Sequence, residues 1–132
     1  FLWLLVGRYK PDFIGLFEPN FNYLNQDIFR IGRGFSFLGV SRPVASSDRL
    51  CLLVHISVEQ PTIVHIEDQI ITCTFLKNGH KCFFSVIYAS NNYIDRWFLW
   101  LHLKGMYSVI NEPWVMLGDV NSILHADEKI VH

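Results

Sequence analysis

The sequence is short of charge, of cysteine and of long apolar runs. Charged residues make up 17% of the 132 and apolar ones 51%, a balance that excludes a disordered, self-solvating chain. Cysteine occurs three times, at Cys51, Cys73 and Cys82. The number is odd, no two fall in C-x-x-C spacing, and all lie inside apolar strand-like runs. They read as buried reduced thiols, which fits a nuclear or cytoplasmic compartment. No segment reaches bilayer-spanning length without a charge. The opening run Phe1-Leu2-Trp3-Leu4-Leu5-Val6 lacks the basic start and small-residue cleavage site of a signal peptide, so no membrane partner is expected. There is no internal repeat and no low-complexity tract. With a formal net charge of −1, the chain as a whole makes no electrostatic case for nucleic acid. Position 1 is Phe rather than Met, and the apolar run after it has no cap, which predicts a segment of something longer.

What the sequence does have is aromatic apolar mass. Eleven Phe, five Tyr and four Trp belong to a sheet-rich, densely packed interior. The length fits one domain or part of one. Arg30, Arg33, Arg42 and Arg49 form a local basic stretch broken only by Asp48. A solvated loop face is the preferred reading over phosphate contact, which would add affinity without sequence preference.

The runs order themselves readily. Leu2 to Tyr9 reads as the end of a helix that Pro11 stops. Phe13-Ile14-Gly15-Leu16-Phe17 reads as a buried strand closed by Glu18-Pro19. A loop with a short helix near Leu24–Phe29 follows. Strands are then predicted at Phe35–Val40 and Leu50–Ile56, with a turn-rich connection from Ser41 to Asp48 between them. Thr62–Ile66, Ile70–Leu76 and Lys81–Tyr88 form hairpins. The turn at Asn78-Gly79 is the strongest short hairpin signal, because both central positions of a type I′ turn need positive φ.

Ile94, Trp97, Phe98 and Leu101 stand at helical spacing and predict an amphipathic helix from about Ile94 to Lys104. Asn92 is its N-cap and Gly105 its end. Beyond it, Trp114-Val115-Met116-Leu117 runs without alternation, the pattern of a strand buried on both faces. A strand, a helix and a strand in that order form a crossover, so the strands ending at Tyr88 and Asp119 are expected to be parallel. The fold class is therefore α/β, a mixed β-sheet flanked by helices.

Polar residues close three of these strands: Glu18, Tyr88 (with Ser90 and Asn91), and Asp119 with Asn121. Open α/β sheets place their chemistry at carboxyl ends of this kind. Two carboxylates, a phenol and an amide make an oxygen-rich set of the type Mg²⁺ prefers. Solvated strand ends account for the same residues, and on composition alone that plainer reading is preferred. The histidines do not fall in a metal spacing. His55 and His65 read as packing or edge residues of strands, His80 as a turn residue and His102 as a helix residue.

Trp114-Val115-Met116-Leu117-Gly118-Asp119-Val120-Asn121 resembles the W-x-x-x-G-D-F-N motif of the endonuclease/exonuclease/phosphatase superfamily. More narrowly, Pro113 to Lys129, with His125-x-x-Glu128-Lys129, resembles the apurinic-type endonuclease domain of plant LINE-type (non-LTR) retrotransposons. Pro11 to Glu18 is similar to that family's P-D-I-L-x-L-x-E segment. Leu50-Cys51-Leu52-Leu53-Val54 is similar to its G-G-L-A-L-L-W strand, and Val86-Ile87-Tyr88-Ala89-Ser90-Asn91 to V-Y-A-x-N. Arg96, Leu99 and Trp100 fit the helix that follows.

The resemblance implies a four-layer, DNase I-like α/β sandwich with its site at one end of two facing sheets. It implies that Glu18 binds Mg²⁺ (Mn²⁺ as substitute), Tyr88 positions the phosphate, Asp119 aligns or activates the attacking water, and Asn121 supports both. The activity would be DNA nicking, with the DNA phosphate backbone as partner and a reverse transcriptase domain downstream. A phosphatase, a phospholipid diesterase and a non-catalytic remnant remain alternatives.

Departures from the pattern also matter. The family's first-strand Asn would precede Phe1, and its late Asp-His pair would follow His132. Its Gly-Gly before the Leu50 strand is Asp48-Arg49 here, and Pro19 replaces the Thr or Trp after the metal-binding Glu. Residues 1–132 are thus expected to be a partial domain lacking the first strand and the carboxyl-terminal half. A missing covering sheet and a chain inactive by itself are expected with it.

Overall fold

The computed structural model describes residues 11–17, 34–41 and 50–119, without the side chains of Phe17 and Asp119. Seven strands and one helix lie in these residues: β1 (Phe13–Phe17), β2 (Phe35–Ser41), β3 (Leu50–His55), β4 (Glu59–Glu67), β5 (Ile70–Lys77), β6 (His80–Tyr88), α1 (Tyr93–Val109) and β7 (Trp114–Asp119). The helices expected near Leu2–Tyr9 and Leu24–Phe29 lie outside the described residues, as does the basic stretch at Arg30, Arg33, Arg42 and Arg49.

The strands form two sheets, a three-stranded one in the order β1-β3-β2 and a four-stranded one in the order β4-β5-β6-β7. The first is antiparallel throughout. The second is mixed. β4, β5 and β6 alternate in direction, and β7 runs parallel to β6, because α1 carries the chain back across the sheet as a crossover. The Asn78-Gly79 turn has φ of 54° and 79° at its two residues, as the hairpin signal requires.

The two sheets face each other. Leu50 and Leu52 of β3 pack with Ile71, Cys73, Phe84 and Val86 of the second sheet, and Phe13, Leu38, Ile63 and Tyr88 close the cluster from its sides. The ring of Phe13 stacks on that of Phe84, with centroids 4.4 Å apart. A Cβ added at Gly39 of β2 would touch Ile63, Ile66 and Ile71 of the second sheet. The Ser41 hydroxyl donates to the Glu67 carbonyl at 2.7 Å. β1 therefore lies over β6 and β2 over β4. This corrects the expectation that the covering sheet is missing. Three strands of it come from this chain, because the runs at 13–17, 35–41 and 50–55 pair with one another and not with the hairpins.

The expectation that β7 is buried on both faces is also corrected. Val115 and Leu117 are 51% and 47% exposed. They share a face with Phe84 and Val86 by register, so they belong to the inter-sheet side. Among the described residues the first sheet ends at β1, above β6, and no strand of it lies over β7.

The helix is capped as expected. The Asn92 side chain accepts from the backbone N–H of Ile94 and Asp95 at 2.9 and 3.4 Å. It does not end at Gly105, which keeps a negative φ. It runs on to Val109, where Ile110 turns extended. The buried face differs too. Trp97 and Phe98 are 55% and 59% exposed, whereas Leu99 is 2% exposed and packs with Ile70, Ile87, Ala89 and Leu103. Apolar residues occur nearly all round this helix, so spacing alone did not single out the stripe that docks. Among the described residues no helix is long and apolar enough to cross a membrane.

Candidate functional site

β6 and β7 run in parallel register, and their last residues, Tyr88 and Asp119, are direct partners. The glycine before Asp119 makes this approach possible. Gly118 has φ +147°, and a Cβ there would overlap the Ile87 carbonyl on β6. Only glycine combines that backbone angle with so close a neighbour. Thus the Gly of the Gly118-Asp119 pair holds the β7 end against β6, and it brings the backbone of Asp119 opposite Tyr88.

Tyr88 is half-buried and packs against the inter-sheet cluster. Its backbone N–H donates to the Gln69 carbonyl at 2.9 Å. β1 runs over β6 in the same sense, since Phe13 lies on Phe84 and Gly15 lies against Val86. The carboxyl end of β1 therefore points to the rim that Tyr88 and Asp119 share. Glu18 and Asn121 lie outside the described residues.

The loop after Tyr88 is held from both sides. Gln69 accepts from the Ser90 N–H at 2.7 Å and donates to the Asp95 carbonyl at 2.8 Å. Arg96 donates to the carbonyls of Ser90 and Asn91 at 3.1 and 2.9 Å. Sequence reading placed Arg96 on the helix after the strand but gave Gln69 no role. Its place in a polar hairpin turn carried no signal that the turn reaches the next strand end. Beside this loop, on the helix side of the sheet, lies a cleft of about 630 Å³ lined by Glu67, Asp68, Gln69, Ser90 and Asp95. Its acidic walls disfavour an anionic ligand, and Tyr88 faces the other side.

A second group comes together that sequence spacing had excluded. His65 and Glu67 of β4 and His102 of α1 place their ligating atoms within 4.8 Å of one another. The reason is a bulge in β4. Ile63 pairs with Cys73 while His65 pairs with Thr72, so one extra residue on β4 turns His65 and Glu67 toward α1 and leaves Ile63 and Ile66 facing the other sheet. Burial lowers the His102 pKa, the neighbouring His65 adds to this, and Glu67 opposes it.

No protein-family model and no curated protein matches the sequence. Solved structures do match in fold. TDP2 of D. rerio, in complex with single-strand DNA product, superposes with a TM-score of 0.67 at 15% identity over 92% of this chain and 52% of that one. The endonuclease domain of TRAS1, a telomere-specific non-LTR retrotransposon, gives 0.66 at 11% identity over 93% and 54%. The human Nocturnin catalytic domain with bound sulfate gives 0.58 at 16% identity over 92% and 56%. All share the DNase I-like endonuclease/exonuclease/phosphatase fold, and this chain has that α/β fold. It spans about half the length of the solved structures that it matches.

Proposed function

We propose that this chain carries one flank of a metal-assisted phosphodiesterase site that nicks DNA, as the endonuclease of a LINE-type non-LTR retroelement from a plant. The observation that carries the reading is the pairing of Tyr88 with Asp119, fixed by Gly118, at a rim toward which β1 also points. The likeness in fold to a retrotransposon endonuclease domain supports it.

The side chains that the sequence supplies at and just beyond these strand ends are oxygen donors: the phenol of Tyr88, the carboxylates of Asp119 and Glu18, and the amide of Asn121. Such a set fits Mg²⁺, with Mn²⁺ as substitute. Glu18 would hold the metal, which would supply polarisation of a phosphoryl oxygen. Tyr88 donates its phenolic proton in a hydrogen bond to a non-bridging phosphate oxygen. Asp119 orients the attacking water and accepts its proton, and Asn121 hydrogen-bonds the water and the phosphate.

We read residues 1–132 as a partial domain. Its first strand and carboxyl-terminal half lie in flanking coding sequence, and a reverse transcriptase domain lies downstream. The exposure of Val115 and Leu117 supports this, since by register they continue the inter-sheet face past the last described strand of the first sheet. We place the protein in the nucleus or cytoplasm and expect no catalysis from the chain alone.

The test is nicking of supercoiled plasmid by the chain extended through its flanking coding sequence. Mg²⁺-dependent nicking that Asp119→Ala abolishes is the expected result. An extended protein that leaves plasmid intact but hydrolyses inositol phosphates would point to the phosphatase alternative. Inertness toward both would mark a non-catalytic remnant.

A further inference from the structure

His65 and His102 stack with ring centroids 4.1 Å apart and planes 21° from parallel. The Nε2 atoms of both are shielded from solvent and have no hydrogen-bond partner among the described residues. Glu67 Oε1 stands 3.0 Å from His65 Nε2, within ion-pair reach but off the line that a hydrogen bond needs. Buried polar atoms are nearly always paired, and two left over on adjacent imidazoles call for a physical reason, of which a bound ion is one. We propose that His65, Glu67 and His102 form a site for a divalent transition-metal ion of the zinc class, bridging the bulged edge strand β4 to α1.

The donor chemistry selects this class of ion. Two imidazoles and one carboxylate suit Zn²⁺, Co²⁺, Ni²⁺ or Cu²⁺, whereas Mg²⁺ seeks an all-oxygen shell. Three protein ligands leave a coordination position open, the pattern of zinc sites that also hold a water. A cleft of about 360 Å³ lined by His65, Lys81, Phe83, His102, Met106 and Glu112 lies beside the two imidazoles, and Glu67 lines the neighbouring one. Lys81 is the opposing charge on this cleft, and its ammonium sits over the Phe83 ring at 5.2 Å from the centroid. Glu112 adds a negative charge on the other side.

The backbone prepares the arrangement. Without the β4 bulge, His65 would share the face of Ile63 and point into the inter-sheet core. Bulges re-aim side chains in this way, often beside functional sites. A bond length of about 2.0–2.1 Å to each nitrogen requires the two lone pairs to converge, so the stacked rings fan apart when the ion enters. Both residues are half-buried and not locked in the core, which leaves them room to turn.

The test uses the whole 132-residue chain after EDTA treatment and dialysis, titrated with Zn²⁺ by calorimetry and with Co²⁺ by visible absorption. One equivalent should bind, with the visible bands of low-coordinate cobalt, and Zn²⁺ should raise the melting temperature. Excess Mg²⁺ should not displace it. His65→Gln and His102→Gln should each weaken binding by at least about tenfold and remove the thermal shift. A variant with His55, His80, His125 and His132 all replaced by Gln should bind as the parent does. If either cluster variant proves unfolded without metal, Glu67→Gln decides, with a smaller loss of affinity expected. Absence of saturable one-to-one binding, unchanged affinity in the cluster variants, or binding lost with the other four histidines would each overturn the proposal.

Discussion

The ring of Phe13 in β1 lies flat on the ring of Phe84 in β6, 4.4 Å between centroids and 7° from parallel. Two residues further along both strands, Gly15 meets Val86. This pairing sets the direction of β1 over β6, and so which strand ends share a rim. A Cβ at Gly15 would stand 2.5 Å from Val86 Cγ2. Gly15→Val is therefore expected to destabilise the fold by about 1–3 kcal/mol through overpacking. Urea unfolding measures it, and Val86→Ala in the same chain should recover part of the loss. Two losses that simply add would mean that the sheets do not meet at this pair.

Beneath α1 a row of polar groups crosses the second sheet. The Thr72 and Ser85 hydroxyls are 2.7 Å apart, and the Trp114 indole N–H donates to Ser85 at 2.9 Å. Thr72 and Ser85 are fully buried. Ser85→Ala strands two partners at once and should cost about 1–3 kcal/mol. Adding Trp114→Phe should cost less than the sum of the two single changes, as a double-mutant cycle by chemical denaturation would register.

Tyr88→Phe tests the proposed phosphate contact, since the ring and its packing against the inter-sheet cluster remain. In the extended protein, nicking should fall by about 10²-fold, as for loss of one preorganised donor. A full nicking rate in that variant would remove Tyr88 from the proposed site.

The thiols offer a check on burial. Cys51 and Cys73 are buried and Cys82 is half-buried. A thiol reagent at mildly alkaline pH should label Cys82 first in the folded chain, and all three in denaturant. Burial pushes the Cys73 thiol up to about 12. Its folded pKa lies above the unfolded one, so its contribution to stability is complete below pH about 8.5 and is lost as pH climbs toward 12. Cys73→Ala should flatten that alkaline decline in denaturant midpoints.

By itself the sequence determined the strands and their local partners. Uninterrupted apolar runs placed β1, β3 and β6, Asn78-Gly79 closed its hairpin, and the helix between Tyr88 and Trp114 made β6 and β7 parallel. These features are legible because they depend on spacing along the chain and on the φ that each turn residue permits. The Gly118-Asp119 signal was visible as well, although the cause of the glycine, the Ile87 carbonyl beside it, was not.

Only the tertiary structure decided which sheet each strand joined, which face of α1 docked, and that Val115 and Leu117 of β7 stay half exposed. These depend on contacts between distant segments, and an apolar residue carries no mark of which partner will cover it. The meeting of His65, Glu67 and His102 was hidden for the same reason. One extra residue in β4 reverses the alternation there, and that bulge exists only in the pairing of β4 with β5.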